Sequence, residues 1–450
     1  MQYRGKRFSV LGAGRSGLAC VRLLLSRRAK VFLSDSAQKE KYAAAQKELD
    51  ELGIEYEFGD NTHLVLEADA IVVSPGVPSD SPILLLAKEK NIPIIGEIEL
   101  AFEFAEAPIV AITGTNGKTT ATTLTGEIFK HAGWKTTVAG NIGTAFADVV
   151  EEAQGEKAVN VLEVSSFQLD TIKSFRPKVS ALLNITPDHL DRYVNYEAYI
   201  QSKFRIVENQ KGHDIFVYNH DDLTVRGLAD TLAIRTYGFS LHEEMKNGAY
   251  LDGENVIIRI GREREVLITK NEIGIPGPHN LMNAMAASLI ARAMGIEFEV
   301  IRDVLKSFKG VEHRIEFVRE LNGIKYFNDS KATNVDSVKY ALQSFKEPVI
   351  LIAGGKDKGN DYSLIKDLVK EHVKAIISIG DGAKKVEKAF KDIVPVHSGG
   401  HSMEAAVELA KQAASKGDVV LLSPACASFD MFDNYEHRGR VFKEIVNNLK

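Results

Sequence analysis

Short aliphatic and β-branched runs recur along the chain at positions 8–11, 31–34, 70–74, 109–113, 159–164, 179–185 and 215–219. Helix-length segments separate them, among them 18–27 and 119–132. This alternation predicts parallel α/β sheets with crossover helices. Three blocks follow from it. The first ends near 93–96, after the turn Ser74-Pro-Gly-Val-Pro78. The second opens at Ala107 and closes with helical segments at 279–295 and 299–310. The third restarts at Val311 and has its own strands at 349–353, 375–379 and 419–423. Inside the second block, 235–269 has a different texture, with alternating runs such as Asn255-Val-Ile-Ile-Arg-Ile260 that predict a small antiparallel sheet. The expected domains are therefore 1–96, 97–310 and 311–450.

Composition narrows the class. A chain of 450 residues exceeds one ordinary core, in agreement with several domains. Hydrophobic residues at 44% and charged ones at 26% are those of a globular protein. A net charge of −5 leaves no basic excess to neutralise phosphate backbones, so nucleic acid is not an expected partner. Cys20 and Cys426 are too few for a disulfide framework or a thiolate metal site, and no apolar stretch is long enough for a membrane span. The expectation is a cytoplasmic protein without membrane insertion.

Two glycine-rich turns carry the chemistry. Gly12-Ala-Gly14-Arg-Ser-Gly17 follows the first apolar run, and Asp35 closes the second, which together fit a dinucleotide-binding fingerprint and raise a dehydrogenase reading. The other turn is Thr113-Gly-Thr-Asn-Gly-Lys-Thr119, again between an apolar run and a helix. Gly114 precedes Gly117 by three positions, so this is a shortened phosphate loop. Backbone amides at Gly114, Thr115, Asn116 and Gly117 and the helix start at Thr120 suit phosphate oxygens. Lys118 suits the β/γ charge, and the Thr119 hydroxyl suits Mg²⁺. Glu163 and His189 fall at the carboxyl ends of predicted parallel strands, where ligands bind in open α/β sheets, and Asp188 stands beside the histidine. A dehydrogenase leaves this second loop without a purpose.

The second loop, together with Glu163-Val-Ser-Ser-Phe-Gln168, Asn184-Ile-Thr-Pro-Asp-His189, Pro278-His-Asn280 and His313-Arg314, resembles the Mur ligases over nearly the full length. Within that family, Asn328-Asp-Ser-Lys-Ala-Thr-Asn334 and Leu422-Ser-Pro-Ala-Cys-Ala-Ser-Phe-Asp430 resemble the branch that adds D-glutamate. The resemblance implies an α/β fold of three domains: an N-terminal Rossmann-like domain turned to UDP, a central P-loop ATPase-type domain, and a C-terminal Rossmann-like domain. It implies ATP as co-substrate with two Mg²⁺ ions, and UDP-N-acetylmuramoyl-L-alanine and D-glutamate as substrates. It also implies a monomer.

Residue by residue, the resemblance implies that Gly14, Arg15, Ser16, Asp35, Ser36, Ser74 and Asn141 meet the UDP substrate. Asn280, Arg314 and Asp329 join the second loop around ATP. Lys331, Thr333, Lys358, Ser428 and Tyr435 hold D-glutamate. Thr119, Glu163 and His189 hold metal, with Lys203, which the family carries as a carbamate. Lys118, Glu163, His189 and Lys203 form the catalytic set. Two rivals stay open: a folylpolyglutamate synthase, which would lack a UDP site, and a non-catalytic UDP-sugar sensor, which would need no second metal.

Overall fold

The computed structural model describes residues 3–189, 192–357 and 359–450, apart from the side chains of Lys39 and Lys41. Three sheets organise the chain. The first has five parallel strands in the spatial order Glu55–Phe58, Lys30–Asp35, Arg7–Leu11, Ala70–Val73, Ile94–Gly96. The second has nine: Glu263–Thr269, Asn255–Ile260, Gly248–Asp252, Arg235–Ser240, Ile215–Asn219, Val179–Leu182, Ile109–Thr113, Ala158–Glu163, Lys135–Gly140. The third has six: Glu316–Leu321, Ile324–Asn328, Val419–Ala425, Val349–Gly354, Val373–Ile379, Val396–Gly400.

The antiparallel texture expected over 235–269 is present in refined form. Arg235–Ser240 pairs parallel to both neighbours, and only the pairings among Gly248–Asp252, Asn255–Ile260 and Glu263–Thr269 are antiparallel. These strands extend the edge of the central sheet and do not form a sheet of their own. The third sheet likewise carries one antiparallel edge strand, Glu316–Leu321. Such edges need no crossover helix, because a short turn joins antiparallel neighbours.

The chain forms two compact bodies. One comprises residues 1–269 and 282–305 and contains the first two sheets; the other comprises 270–281 and 306–450 and contains the third. In the first body one apolar cluster runs from Phe8, Val10 and Leu24 through Ile98 and Leu100 to Phe146 and Phe175, and a second, on Leu11, Phe32 and Ile71, covers the other face of the first sheet. The continuity of the first cluster fixes the first sheet against the second. In the other body, separate apolar layers cover the two faces of the third sheet, one built on Leu351 and Leu421, the other on Ile352 and Leu422. Adjacent strand residues thus point to opposite, equally buried faces, as a parallel sheet covered on both sides requires. Among the described residues, no helix is long and apolar enough to cross a membrane.

Candidate active site

The first turn is built on backbone proximity. The strand Arg7–Leu11 ends at Gly12, and the helix Arg15–Ser26 opens three residues later without a side-chain cap, leaving its first N–H groups available. A Cβ at Gly17 would lie 1.8 Å from the Gly12 carbonyl oxygen, so only glycine lets the helix rest on the turn. Asp35, at the end of the strand Lys30–Asp35, fastens the turn from the side. Its Oδ2 accepts from Ala13 N at 2.7 Å, and its Oδ1 accepts from Ala37 N at 2.8 Å. The Ser74 hydroxyl donates to Gly12 O at 3.3 Å. Together they bound a cavity of about 550 Å³, and Gly14, Arg15, Ser16, Asp35, Ser36, Ser74 and Asn141 all line it. Tyr42, Asn61 and Gln168 line it too, and no sequence motif singled out the first two.

The second turn adds charge to the same device. The strand Ile109–Thr113 leads into it, and the helix Lys118–His131 leaves it. Gly117 has φ 84°, and a Cβ there would stand 2.4 Å from Asn283 Oδ1. Asn184 braces the loop: its Oδ1 accepts from Asn116 N at 2.8 Å and its Nδ2 donates to Asn116 O at 3.0 Å. Lys118 folds back, donating to the carbonyls of Gly114 and Thr115 at 2.8 Å each. Thr119 and Thr120 are buried in the first turn of the helix. Glu163, buried at the tip of the strand Ala158–Glu163, accepts from the Thr119 hydroxyl at 2.8 Å through Oε2 and from Asn141 Nδ2 at 2.8 Å through Oε1. Asn141 therefore touches Glu163 while lining the first cavity.

Lys203 shares the Gly114 carbonyl with Lys118, and His189 packs beside Phe167 and Tyr199. His189 adopts φ 54°, a strained value for a non-glycine residue, with its ring edge-on to Phe167 at 4.9 Å. Asp188 Oδ2 is 3.8 Å from its Nε2. Lys203 lies in the helix Tyr196–Phe204, which Asn195 caps by accepting from Ala198 N. It is buried, donates to Gly114 O at 2.9 Å and sits 4.6 Å from the Tyr199 ring centroid. Burial holds this amine well below the ordinary lysine range, and the Lys118 charge lowers it further, against Asp188, Glu163 and Asp170. A lowered lysine pKa raises the share of unprotonated, nucleophilic amine.

The second body holds the remaining residues. Burial raises the Asp329 carboxyl to about 7, with the Arg314 charge opposing. Ser423 donates to it at 2.8 Å and Ile315 N at 3.3 Å. Asn280 donates to Pro276 O at 2.7 Å. Lys331 and Thr333 occupy the loop between the strand Ile324–Asn328 and the helix Val335–Leu342, and Lys331 Nζ lies 5.3 Å from the Tyr435 ring. Ser428 is buried. Lys358 falls outside the described residues. Sequence reading passed over Arg438, buried in the helix Tyr435–Asn448, which donates to Ser330 Oγ, Ser330 O and Cys426 O at 3.0, 2.7 and 3.1 Å. It ties the loop of Lys331 and Thr333 to the loop of Ser428; a lone arginine in a polar helix gives no warning of that.

Family models match in chain order: the Mur ligase MurD-like, N-terminal domain over residues 6–96, the Mur ligase middle domain over 112–291, and the Mur ligase, glutamate ligase domain over 313–426. The UDP-N-acetylmuramoylalanine--D-glutamate ligase of Salinibacter ruber is 47% identical across 100% of this chain and 99% of its own. The enzyme of the same name from Thermoanaerobacter sp. is 46% identical across 100% of both. The chain belongs to the Mur ligase family. Solved structures agree on the fold: the UDP-N-acetylmuramate-alanine ligase of Thermotoga maritima superposes with a TM-score of 0.63 at 20% identity, over 99% of this Mur ligase and 100% of that chain. A pseudomurein peptide ligase type C from Methanothermus fervidus gives the same TM-score, identity and coverage. As a Mur ligase the protein is an ATP-dependent ligase.

Proposed function

We propose that this Mur ligase joins the amine of D-glutamate to the alanyl carboxylate of UDP-N-acetylmuramoyl-L-alanine, cleaving ATP to ADP and phosphate, as a cytoplasmic monomer in peptidoglycan precursor synthesis. The observation that carries this reading is Asn141. One side chain lines the lysine-free cavity at the first turn and bonds Glu163 at the second. A substrate held at its diphosphate by Gly14, Arg15 and Ser16, and at its sugar side by Ser74, then points its far end towards the phosphate loop.

The chemistry follows from the weakness of a carboxylate as an electrophile. An alanyl carboxylate oxygen attacks the γ-phosphorus of ATP; the bond from that phosphorus to the β,γ-bridging oxygen breaks, and ADP leaves. The resulting acyl phosphate accepts the lone pair of the D-glutamate amine at its carbonyl carbon. The tetrahedral intermediate expels phosphate, and the amine loses a proton. The protein's share is position and charge. Lys118 releases its two loop carbonyls to meet the β/γ-phosphates, and the loop amides meet phosphate oxygens. Asn280, Arg314 and Asp329 hold adenine, phosphate and ribose. Lys331, Thr333, Lys358, Ser428 and Tyr435 are assigned to the two carboxylates of D-glutamate.

Thr119 and Glu163 offer adjacent hard oxygens that fit Mg²⁺, and His189 with a carbamylated Lys203 would hold a second ion. When bound, the metal neutralises phosphate charge and polarises the transferred group. The buried Lys203, whose amine is held by burial well below the ordinary lysine range, supports the carbamate: the nitrogen of its unprotonated form bonds the carbon of CO₂, a proton leaves, and an amine becomes an anionic oxygen donor. The test is phosphate release from ATP in the presence of UDP-N-acetylmuramoyl-L-alanine, with D-glutamate, L-glutamate, meso-diaminopimelate or L-lysine. Release with D-glutamate alone is expected. Preference for L-lysine or the diamino acid, or turnover without the UDP substrate, would overturn the proposal.

A further inference from the structure

The segment Gly354-Gly-Lys-Asp-Lys-Gly-Asn360 leaves the strand Val349–Gly354 without an apolar side chain, so hydrogen bonds must set its shape. Asp357 supplies several of them. Its Oδ1 accepts from Gly359 N at 2.7 Å, from Asn360 N at 3.2 Å and from Lys385 Nζ at 2.8 Å, and its Oδ2 accepts from the Tyr362 hydroxyl at 3.3 Å. A carboxylate that accepts from amides two and three residues ahead closes a tight turn. Burial raises this carboxyl, but the hydrogen bonds from Lys385 and Gly359 N outweigh it and leave the group below the ordinary aspartate range. The pair with Lys385 is therefore ionised at neutral pH. Lys385 belongs to the helix Ala383–Phe390, and Gly382 N, just ahead of that helix, donates to Gly355 O at 2.8 Å. The helix thus clamps the turn from one side.

The turn is also zipped to the loop of Ser428. Lys356 N donates to Ala427 O at 2.9 Å, and Ala427 N donates back to Lys356 O at 3.2 Å. Asn360 Nδ2 donates to Ala425 O at 2.9 Å. Ala425 holds φ 61°, a left-handed value that a residue with a Cβ keeps only where its surroundings over-determine it. Arg438 then joins the same loop to Ser330, next to Lys331. We infer that Asp357, clamped by Lys385, is a positioning residue for D-glutamate: it holds its turn against the Ser428 loop, so that the groups assigned to the amino acid's carboxylates are in place before it binds. Lys385, neutralised by Asp357, acts through that carboxylate and not on the substrate. This deepens the D-glutamate reading and rests on it.

The experiment is steady-state kinetics of wild type, Asp357→Ala, Asp357→Asn, Lys385→Met and the Asp357→Asn/Lys385→Met double variant, each substrate varied in turn. Asp357→Ala should raise the Michaelis constant for D-glutamate by about tenfold, the scale of losing a pocket's preorganisation, while kcat at saturating D-glutamate and the constants for ATP and the UDP substrate stay within about twofold. Lys385→Met keeps the amide bonds of the turn and removes a half-exposed ion pair, so the rise should be smaller, about threefold. Asp357→Asn keeps an acceptor for Gly359 N and should match it. The double variant should be no worse than either single one, because both remove the same pair. An unchanged D-glutamate constant in Asp357→Ala, or an equal rise in the constants for all three substrates, would overturn the inference and leave the D-glutamate reading standing. Should Asp357→Ala fail to fold, unchanged constants in the two milder variants would overturn it in the same way. If wild type does not use D-glutamate at all, that reading fails, and the inference with it.

Discussion

The two glycine turns share a backbone plan and differ in what surrounds it. Both follow a parallel strand and open a helix, of 12 residues at Arg15–Ser26 and 14 at Lys118–His131. Around the first, Asp35 serves the turn itself through Ala13 N and Ala37 N, and Arg15 lines the cavity as a cation, with no lysine among the lining residues. Around the second stand Lys118, Thr119 and Glu163, with Lys203 on the carbonyl of Gly114. Backbone amides at a helix start suffice to hold a diphosphate. Moving a phosphoryl group demands in addition a mobile cation, hard oxygens and a dry setting in which electrostatics is strong. On the proposed reading, one motif serves binding in the first sheet and chemistry in the second.

The largest effect should come from Lys203. Replacing it with alanine should lower amide formation by roughly 10³-fold, the scale of losing a preorganised group at the reacting centre. Lys203→Arg should be as defective, since a guanidinium cannot take up CO₂, and both variants should bind ATP through Lys118 and Thr119. Steady-state turnover with added bicarbonate is the check, and near wild-type turnover by the arginine variant would remove the carbamate.

A smaller effect separates the glycines of the first turn. Gly17→Ala forces a methyl into the Gly12 carbonyl and should cost about 1–3 kcal/mol in denaturant unfolding. Gly14 has open space around a Cβ and an ordinary φ of −75°. Gly14→Ala should therefore leave stability unchanged and raise the Michaelis constant for the UDP substrate, by crowding the pyrophosphate. Equal destabilisation by both would show that the two glycines serve packing alone.

The strands buried on both faces were plain in the sequence, because a fully enclosed strand must be apolar throughout: 109–113 and 215–219 match Ile109–Thr113 and Ile215–Asn219 to the residue. The edges were not. Glu55–Phe58 and Glu316–Leu321 have no fully buried position, and Val396–Gly400 is rich in glycine and polar groups, so no pattern marks them. The site divided along the same line. Loop residues adjacent in sequence, such as Gly114 to Thr120, announced themselves by spacing. Asn184, Asp357 and Arg438 act through partners distant in sequence, and only the fold brings those partners within reach.

The division of labour between the turns is tested most directly by titrating UDP and a non-hydrolysable ATP analogue into wild type, Asp35→Ala and Lys118→Ala. Releasing the turn in Asp35→Ala should weaken UDP by about tenfold, the worth of one charge-assisted hydrogen bond, and leave the ATP analogue untouched. Lys118→Ala should do the reverse. Loss of the same nucleotide in both variants, or NAD binding to wild type as tightly as UDP, would contradict the account.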